Sequence, residues 1–542
     1  MYTALIRDAK REILASTMQT RRDFLLSATA GVGAALAADR WDAGLVEHLL
    51  PTVNHRRLLL KASFTQALKR APGLRVGNRV HPGIRADFDG RFWAFDVDGL
   101  KPEHPYNLQL AGGDGKPLCA PWSLSTFPEM GATPERFRLM IYTCAGGHEA
   151  LRDPAGRPLF IPLENRRKLL QTGLAYRPNA VIAVGDHVYW DLRVGRGAQM
   201  QGKSAFALQL VGEFNRAAPV LGTDNEKKLK LAVHPQIAGL YGTMFRSTPV
   251  FFLQDDHDYF DNDEAHESIV TFPPDDFMLR LARATQKLYY PEFLPDPNRP
   301  LGLPGASAED RPAGVGECFG TLRYGKLLEI LLYDCRRYLT LAGPAAGFLP
   351  QTVETWLRQR MAAEETRHLV NLPSTPVGWS AGKWGEWYPD VLLDNGALGT
   401  QKPKYFWQSG WGAQHDRLLE AASAMQRIPL FLSGDLHALA EGKILSSGKL
   451  DLRRNPIVSI LTGPVSTGPP GWPSAARGTA PLAASRLEVE EGLKPLEKNG
   501  FSIVDFTPDQ IEIRFFNWKL GEPEVRLEDL KPFRHSQFQR RV

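Results

Sequence analysis

Five short apolar runs constrain this chain most, because each delivers polar, metal-competent residues at its C-terminal end. RLMIY leads into Thr143-Cys144, NAVIAV into GDHVYWD (185–191), and PVFFLQ into DDHDYFDND (255–263). LLEILLY leads into Asp334-Cys335-Arg336, and PLFLSG into Asp435-Leu436-His437. Runs of this length, bounded by polar residues, read as strands buried on both faces. Helical patterns near 163–175, 227–240, 277–290, 350–365 and 413–427 alternate with them. In open α/β sheets the C-terminal edge of the strands is where ligands bind. Asp and Gly are ordinary turn residues, so one such instance would mean only a strand-ending turn. Five together predict a site.

The rest of the chain fits an ordinary folded protein. With 43% apolar and 23% charged residues, collagen-like, disordered and coiled-coil classes are excluded. A length of 542 residues predicts two to four domains. A formal net charge of +5 leaves no nucleic-acid footprint, and Arg540-Arg541 reads as a solvated tail. From 58 to 128, strands such as FWAFDVDGL and WSLSTF alternate with turns and no helical period competes. This predicts a small β-sandwich over 50–130, ahead of a large α/β domain over 135–542. The stretch DGLKPEHPYNLQL (98–110) is similar to the strand–turn–tyrosine corner of fibronectin-like domains, with Tyr106 as the core tyrosine. Residues 291–316 read as a long loop, and 500–518 as a strand–turn–strand that adds edge strands to the same sheet system.

The N-terminus reads as an address. FLLSATAGVGAALAA (24–38) is apolar over about 15 residues, short of the roughly 20 a membrane span needs. It follows Arg21-Arg22 and ends in an alanine-rich run, as a cleavable signal should. TRRDFLL (20–26) resembles a twin-arginine export signal, which implies the twin-arginine machinery as a partner and a periplasmic or secreted destination. Cleavage after Ala37 or Ala38 would leave 1–38 as the signal and no stable membrane span. The alternatives are a short buried helix or an uncleaved anchor.

The spacings allow a metal reading. Asp435 and His437 are two apart, so an extended backbone points both to one side. Asp186 and Tyr189 are three apart around a turn, which lets a carboxylate and a phenolate converge. Carboxylate, imidazole, phenolate and thiolate together suit a trivalent iron beside a harder divalent cation. Two metals about 3.5–4 Å apart can clamp an in-line displacement at phosphorus. His257, inside the acid-rich DDHD, is placed to protonate a leaving alkoxide, with Asp258 or Asp255 orienting its other nitrogen.

GDHVYWD, DDHDYFDND and SGDLHALAEG (433–442) resemble three signature blocks of alkaline phosphatase D-type metallophosphatases. The GDxxY spacing is also similar to purple acid phosphatases, where the tyrosine binds ferric iron. The resemblance implies a four-layer αββα sandwich preceded by a fibronectin- or Ig-like module. It implies hydrolysis of phosphomonoesters or phosphodiesters by metal-activated hydroxide, with Fe3+ and a divalent cation, Ca2+ first, as cofactors. Carried over, it makes Cys144, Asp186, Tyr189, Asp256, Asn262, Asp435 and His437 metal ligands, with Asp186 the bridge and His257 the catalytic histidine. Asp334-Cys335-Arg336-Arg337-Tyr338 looks like the family's Asp-x-Arg-x-Tyr strand end, making Arg336 either a phosphate contact or a structural ion pair. GKWGEWYPD (382–390) is similar to a loop lining the family's site. Gln254 departs from the family's usual tryptophan, and CAGGHE (144–149) is unusual, with His148 a stray ligand or a loop histidine.

Rival readings rest on other matches. GAQMQGKS (197–204) fits the phosphate-loop pattern but lacks the buried strand that must precede it. GWSAG (378–382) fits the nucleophile elbow and offers Ser380 to a serine hydrolase, yet Pro376 stands just upstream and no helix former follows. A third reading is a secreted, non-catalytic binding protein stabilised by structural metals. Cys144 could be an inert core cysteine, and Cys318 and Cys335 either a disulfide or buried thiols.

Overall fold

All five apolar runs form strands, and they divide between two sheets. The computed structural model describes residues 41–153, 155–190, 211–259, 262–267, 269–305, 310–522 and 526–539. The expected export signal at 1–38 and the phosphate-loop match at 197–204 lie outside the described residues.

The first sheet runs in the order Val250–Leu253, Ala180–Val184, Phe137–Thr143, Asn499–Phe506, Gln510–Trp518, Arg534–Gln539. Its first three strands are parallel and the C-terminal ones join antiparallel. The second sheet follows Phe319–Tyr324, Leu328–Tyr333, His368–Pro373, Leu430–Ser433, Ile457–Thr462, Leu439–Ser447, Leu450–Asp451, with Leu487–Leu496 paired onto Leu439–Ser447. Its four central members, from Leu328–Tyr333 to Ile457–Thr462, are parallel. Parallel strands are covered on both faces, and every residue of Ala180–Val184 and Leu328–Tyr333 is buried accordingly.

Each sheet has its own helical cover. Leu169 of the helix Leu163–Ala175, Leu229 of Asp224–Val233 and Leu281 of Asp276–Tyr289 share a core with Met140 and Val181 of the first sheet. Asp275 caps the last of these helices by accepting the Met278 N–H at 2.9 Å. Trp356 of Gln351–Ala362 and Leu418 of Ser409–Ser423 pack with Leu331 and Phe431 of the second sheet. The helix expected over 227–240 is broken into Asp224–Val233 and Ala238–Tyr241. The break turns Gln236 inward, where its carboxamide oxygen accepts the N–H of Gly147 at 2.7 Å and of Tyr189 at 2.9 Å.

Before these sheets come two four-stranded ones. Val46–Val53, Leu58–Phe64, Phe92–Val97 and Ile84–Arg85 make one; Arg79–Pro82, Gly73–Val76, Pro105–Ala111 and Trp122–Ser125 make the other. Tyr106 is half-buried rather than a core residue. It shares a strand face with buried Leu108 and Leu110 but stands near the strand's start, beside exposed Pro105 and Asn107. Its hydroxyl accepts the Lys101 N–H at 2.7 Å. Residues 44–542 hold together as one compact unit. His48 Nε2 lies 2.6 Å from the Tyr289 carbonyl, and the buried Lys61–Glu292 ion pair closes at 2.9 Å. Among the described residues, no helix is long and apolar enough to cross a membrane.

Candidate metal centre

The site forms where strand ends of the two sheets meet. Thr143 donates its N–H to Gly463 O at 2.9 Å and bridges to Pro464, just past the end of Ile457–Thr462. Immediately after Thr143 comes Cys144; after Val184 come Gly185 and Asp186; after Leu253 come Gln254, Asp255 and Asp256. Asp435 and His437 follow Leu430–Ser433. Cys144, Asp186, Asp435 and His437 all take positive φ, at 49°, 53°, 69° and 49°. Seven non-glycine residues do so among those described, so four of them gather at this one place. Such conformations cost of order 1–3 kcal/mol each and persist only where surroundings enforce them. Here the strands turn sharply to aim side chains at a common point.

Three groups of ligand atoms converge there. Cys144, Asp186 and His437 place one donor atom each within 4.8 Å of one another; so do Asp186, Asp256 and His257, and so do Asp255, Asp256 and Asp435. The Tyr189 hydroxyl donates to Asp186 Oδ2 at 2.8 Å and lies 3.2 Å from His437 Nε2. His437 Nδ1 is 2.9 Å from Gly471 O, which turns Nε2 inward as metal-binding histidines require. Asn262 lines the adjoining cleft of about 100 Å³ with Tyr189, His257, Lys383, His437 and Arg477. Every residue expected to be a ligand is thus brought to one place, and Asp186 belongs to two of the three groups.

The electrostatics are those of a site overfilled with acids. Burial raises the Asp186 carboxyl well above its usual range, and Asp256, Asp255 and Asp435 add to it. Burial and the Asp186 charge push both the Cys144 thiol and the Tyr189 phenol up. Burial alone would raise Asp256 too, but the Lys383 ammonium and His257 hold it well below the carboxylate range. Burial depresses His437 to about 4, which keeps its imidazole neutral and able to ligate. Asp186 Oδ1 and Asp256 Oδ1 are buried without a hydrogen-bond donor. Carboxylate oxygens left so are costly unless a cation meets them. With thiolate, phenolate and imidazole alongside, the donor set fits metal ions.

Other residues brace the site. Arg336 is fully buried: Nε donates to Asp255 Oδ1 at 2.6 Å, Nη1 to Asp263 Oδ2 at 3.1 Å and Nη2 to Asp435 Oδ2 at 3.1 Å. The structure therefore makes it an ion-pair hub. Asp258 accepts backbone N–H groups of His187, Val188 and Asp255 at 3.0, 3.2 and 3.0 Å, so it ties the GDHV and DDHD turns together. Gln254 links Tyr290 and Tyr259, and Tyr259 donates to Asp334. His148 sits in the loop beyond Cys144, its Nδ1 accepting the Ala150 N–H. Ser380 is fully buried and donates to Glu386 at 2.6 Å, which leaves no exposed nucleophile in GWSAG. Cys318 and Cys335 are free thiols.

Residues 167–515 match the family described as PhoD-like phosphatase. The chain belongs to the PhoD-like phosphatase family. It is accordingly a hydrolase of phosphate esters. A structure described as PhoD aligns with a TM-score of 0.57 at 11% identity, covering 92% of this chain and 91% of that one. A purple acid phosphatase, PPD1 from yellow lupin (Lupinus luteus) seeds, aligns with a TM-score of 0.52 at 11% identity, covering 91% of this chain and 73% of that one. At such identities the likeness is one of fold. No curated protein matches the sequence. Within this PhoD-like phosphatase, sequence reasoning missed Lys383, Arg477, Gln236 and Asp263. Lys383 was within reach, since it belongs to GKWGEWYPD, the loop expected to line the site.

Proposed function

We propose that this PhoD-like phosphatase is an exported, metal-dependent phosphoesterase acting on phosphomonoesters or phosphodiesters. Its architecture is read as a four-layer αββα sandwich over 135–542 behind a fibronectin- or Ig-like module over 50–130. The observation that carries the activity is the convergence of Cys144, Asp186, Tyr189 and His437 beside Asp256 and His257 at one strand-end cleft. Cys144, Asp186, Tyr189 and His437 would hold a trivalent ion, read as iron because thiolate and phenolate favour it. Asp186, Asp256 and Asn262 would hold a divalent one, read as calcium because hard oxygen donors suit it. When bound, such ions polarise a phosphoryl oxygen and bring water towards hydroxide near neutral pH.

The chain's own groups have separate tasks. His257 faces the cleft, its ring 4.2 Å from that of Tyr189, and hands a proton to the leaving alkoxide. Arg477 lines the same cleft and draws in the anionic ester. Phe160 and Leu159, packed beside Tyr189, line the same cleft and exclude water from the reacting phosphate. No seryl intermediate is needed.

The test uses a generic aryl phosphate and a bis-aryl phosphodiester, with metal content measured in parallel. Asp186→Ala is expected to lose both metal and turnover. Full activity in that variant would sink the reading.

A further inference from the structure

Four buried carboxylates, Asp255, Asp256, Asp263 and Asp435, crowd one side of the cleft, and two buried cations face them. Arg336 takes Asp255 Oδ1, Asp263 Oδ2 and Asp435 Oδ2. Lys383 Nζ lies 2.6 Å from Asp256 Oδ2, 2.5 Å from Asp435 Oδ1 and 3.2 Å from Asp263 Oδ1. Both oxygens of Asp263 and both of Asp435 are thus engaged by cations of the protein itself. The buried oxygens at the site left with neither a hydrogen-bond donor nor an ion pair are Asp186 Oδ1 and Asp256 Oδ1, and their residues form the group that includes His257.

We propose that Lys383 is a built-in cation of this centre. Its ammonium stands where a further divalent ion would bind against Asp256, Asp263 and Asp435, and so limits how many ions the cleft takes. The geometry suits the substitution: a lysine ammonium is a compact point charge, and oxygen ligands gather round calcium at about 2.3–2.6 Å, close to the shorter Lys383 contacts. An uncharged side chain at this position would leave Asp256 Oδ2, Asp435 Oδ1 and Asp263 Oδ1 turned towards one point with no counter-charge. Carboxylates held like that recruit a hard cation. The assignment also narrows the role of Asp435: it anchors Lys383 and Arg336 rather than serving as a direct metal ligand. The proposal rests on the metal-dependent reading of the site, and its test separates the two.

Wild type, Lys383→Arg and Lys383→Met are equilibrated with calcium, dialysed, and compared by elemental analysis and by thermal melting with and without added calcium. The expected result is an equal metal count for wild type and Lys383→Arg, and one further divalent ion per chain in Lys383→Met. Melting of Lys383→Met should be low in chelator and rise with calcium over a range where wild type is unmoved. A folded Lys383→Met with the wild-type metal count and calcium response overturns the proposal, as does an extra ion in Lys383→Arg. Wild type without any metal would refute the metal-dependent reading, while calcium-dependent melting of Lys383→Met still decides the lysine's role. Should Lys383→Met fail to fold even with calcium, Lys383→Gln is put through the same measurements, and the same results support or overturn the lysine's role.

Discussion

The Thr143 hydroxyl accepts the Asp435 N–H at 3.2 Å and donates to the Val184 carbonyl at 2.6 Å, so one side chain joins three strand ends from both sheets. Gly434 lets this happen: a Cβ there would stand 2.2 Å from Thr143 Oγ1. Thr143→Val keeps the shape but strands a buried N–H and a buried carbonyl, which costs about 1–3 kcal/mol. Denaturant unfolding should show that loss, turnover should fall with it as Asp435 shifts, and Thr143→Ser should restore most of both. Wild-type stability in Thr143→Val would show that the linkage is idle.

Glu292 receives two buried cations, Lys61 at 2.9 Å and Arg311 at 2.5 Å, and its side chain is wholly inaccessible. Lys61 comes from the strand Leu58–Phe64, so this knot clamps an N-terminal sheet to the loop after the helix Asp276–Tyr289. Glu292→Ala leaves Lys61 buried with no carboxylate partner, while Arg311 keeps Asp310 Oδ2 at 2.7 Å and Glu317 Oε1 at 3.4 Å, and breaking a buried pair costs about 3–5 kcal/mol. The variant should melt well below wild type, while turnover per folded molecule at low temperature stays as it was.

His48 carries a pH dependence whose sign follows from burial. Burial depresses its pKa from 6.5 to about 3, against a partial lift from the Tyr289 carbonyl. The unfolded chain therefore takes up a proton below pH 6.5 that the folded one refuses until about pH 3. Stability is present in full above 6.5 and is lost as pH falls through that window, by up to about 1.4 kcal/mol per pH unit. His48→Gln keeps a side-chain N–H for Tyr289 O and has no proton to gain. Unfolding free energies between pH 6.5 and 4 should be flatter in the variant; parallel curves would rule the mechanism out.

How much of this is legible in the sequence depends on how each residue reaches the site. Cys144, Asp186, Asp256 and Asp435 arrive on apolar strands, and the pattern of buried runs ending in polar residues exposes them. The positive φ of Cys144, Asp186 and Asp435 leaves no trace there, because it is imposed by contacts between strand ends rather than by a glycine. Lys383 and Arg477 arrive on irregular segments with no period to follow, so only the folded chain shows that they share one cleft. Arg336 illustrates the middle case: its motif points to the site, but the choice between phosphate contact and ion pair needs the positions of Asp255, Asp263 and Asp435. Tyr106 escapes the core expected of it because parity along a strand gives the face and says nothing of where the sheet ends.

Ser380 and His257 separate the rival chemistries. Ser380 is buried and its hydroxyl is committed to Glu386, whereas His257 faces the cleft. Ser380→Ala should retain turnover apart from any loss of fold, and His257→Ala should lower kcat by about 10²–10⁴-fold. The loss should be smallest for esters with good leaving groups, which need least help from a proton. A serine hydrolase would show the reverse order.

Arg477 stands at the mouth of the cleft with its guanidinium carbon 5.3 Å above the Trp384 ring. Among the described residues its guanidinium forms no hydrogen bond or ion pair, in contrast to the ion-paired Lys383 and Arg336. A cation held over an aromatic face and otherwise unspent is available to an incoming phosphate oxygen. A hydrogen bond to a charged group contributes about 1.5–3 kcal/mol, or roughly 10–100-fold in affinity. Arg477→Gln should therefore raise KM for aryl phosphate by up to that factor while kcat changes little. The difference from wild type should shrink as salt screens the exposed charge. Thermal stability should barely move, since the Trp384 contact is worth about 0.5–1 kcal/mol at an exposed site. An unchanged KM at low salt would assign Arg477 to the surface rather than to substrate capture.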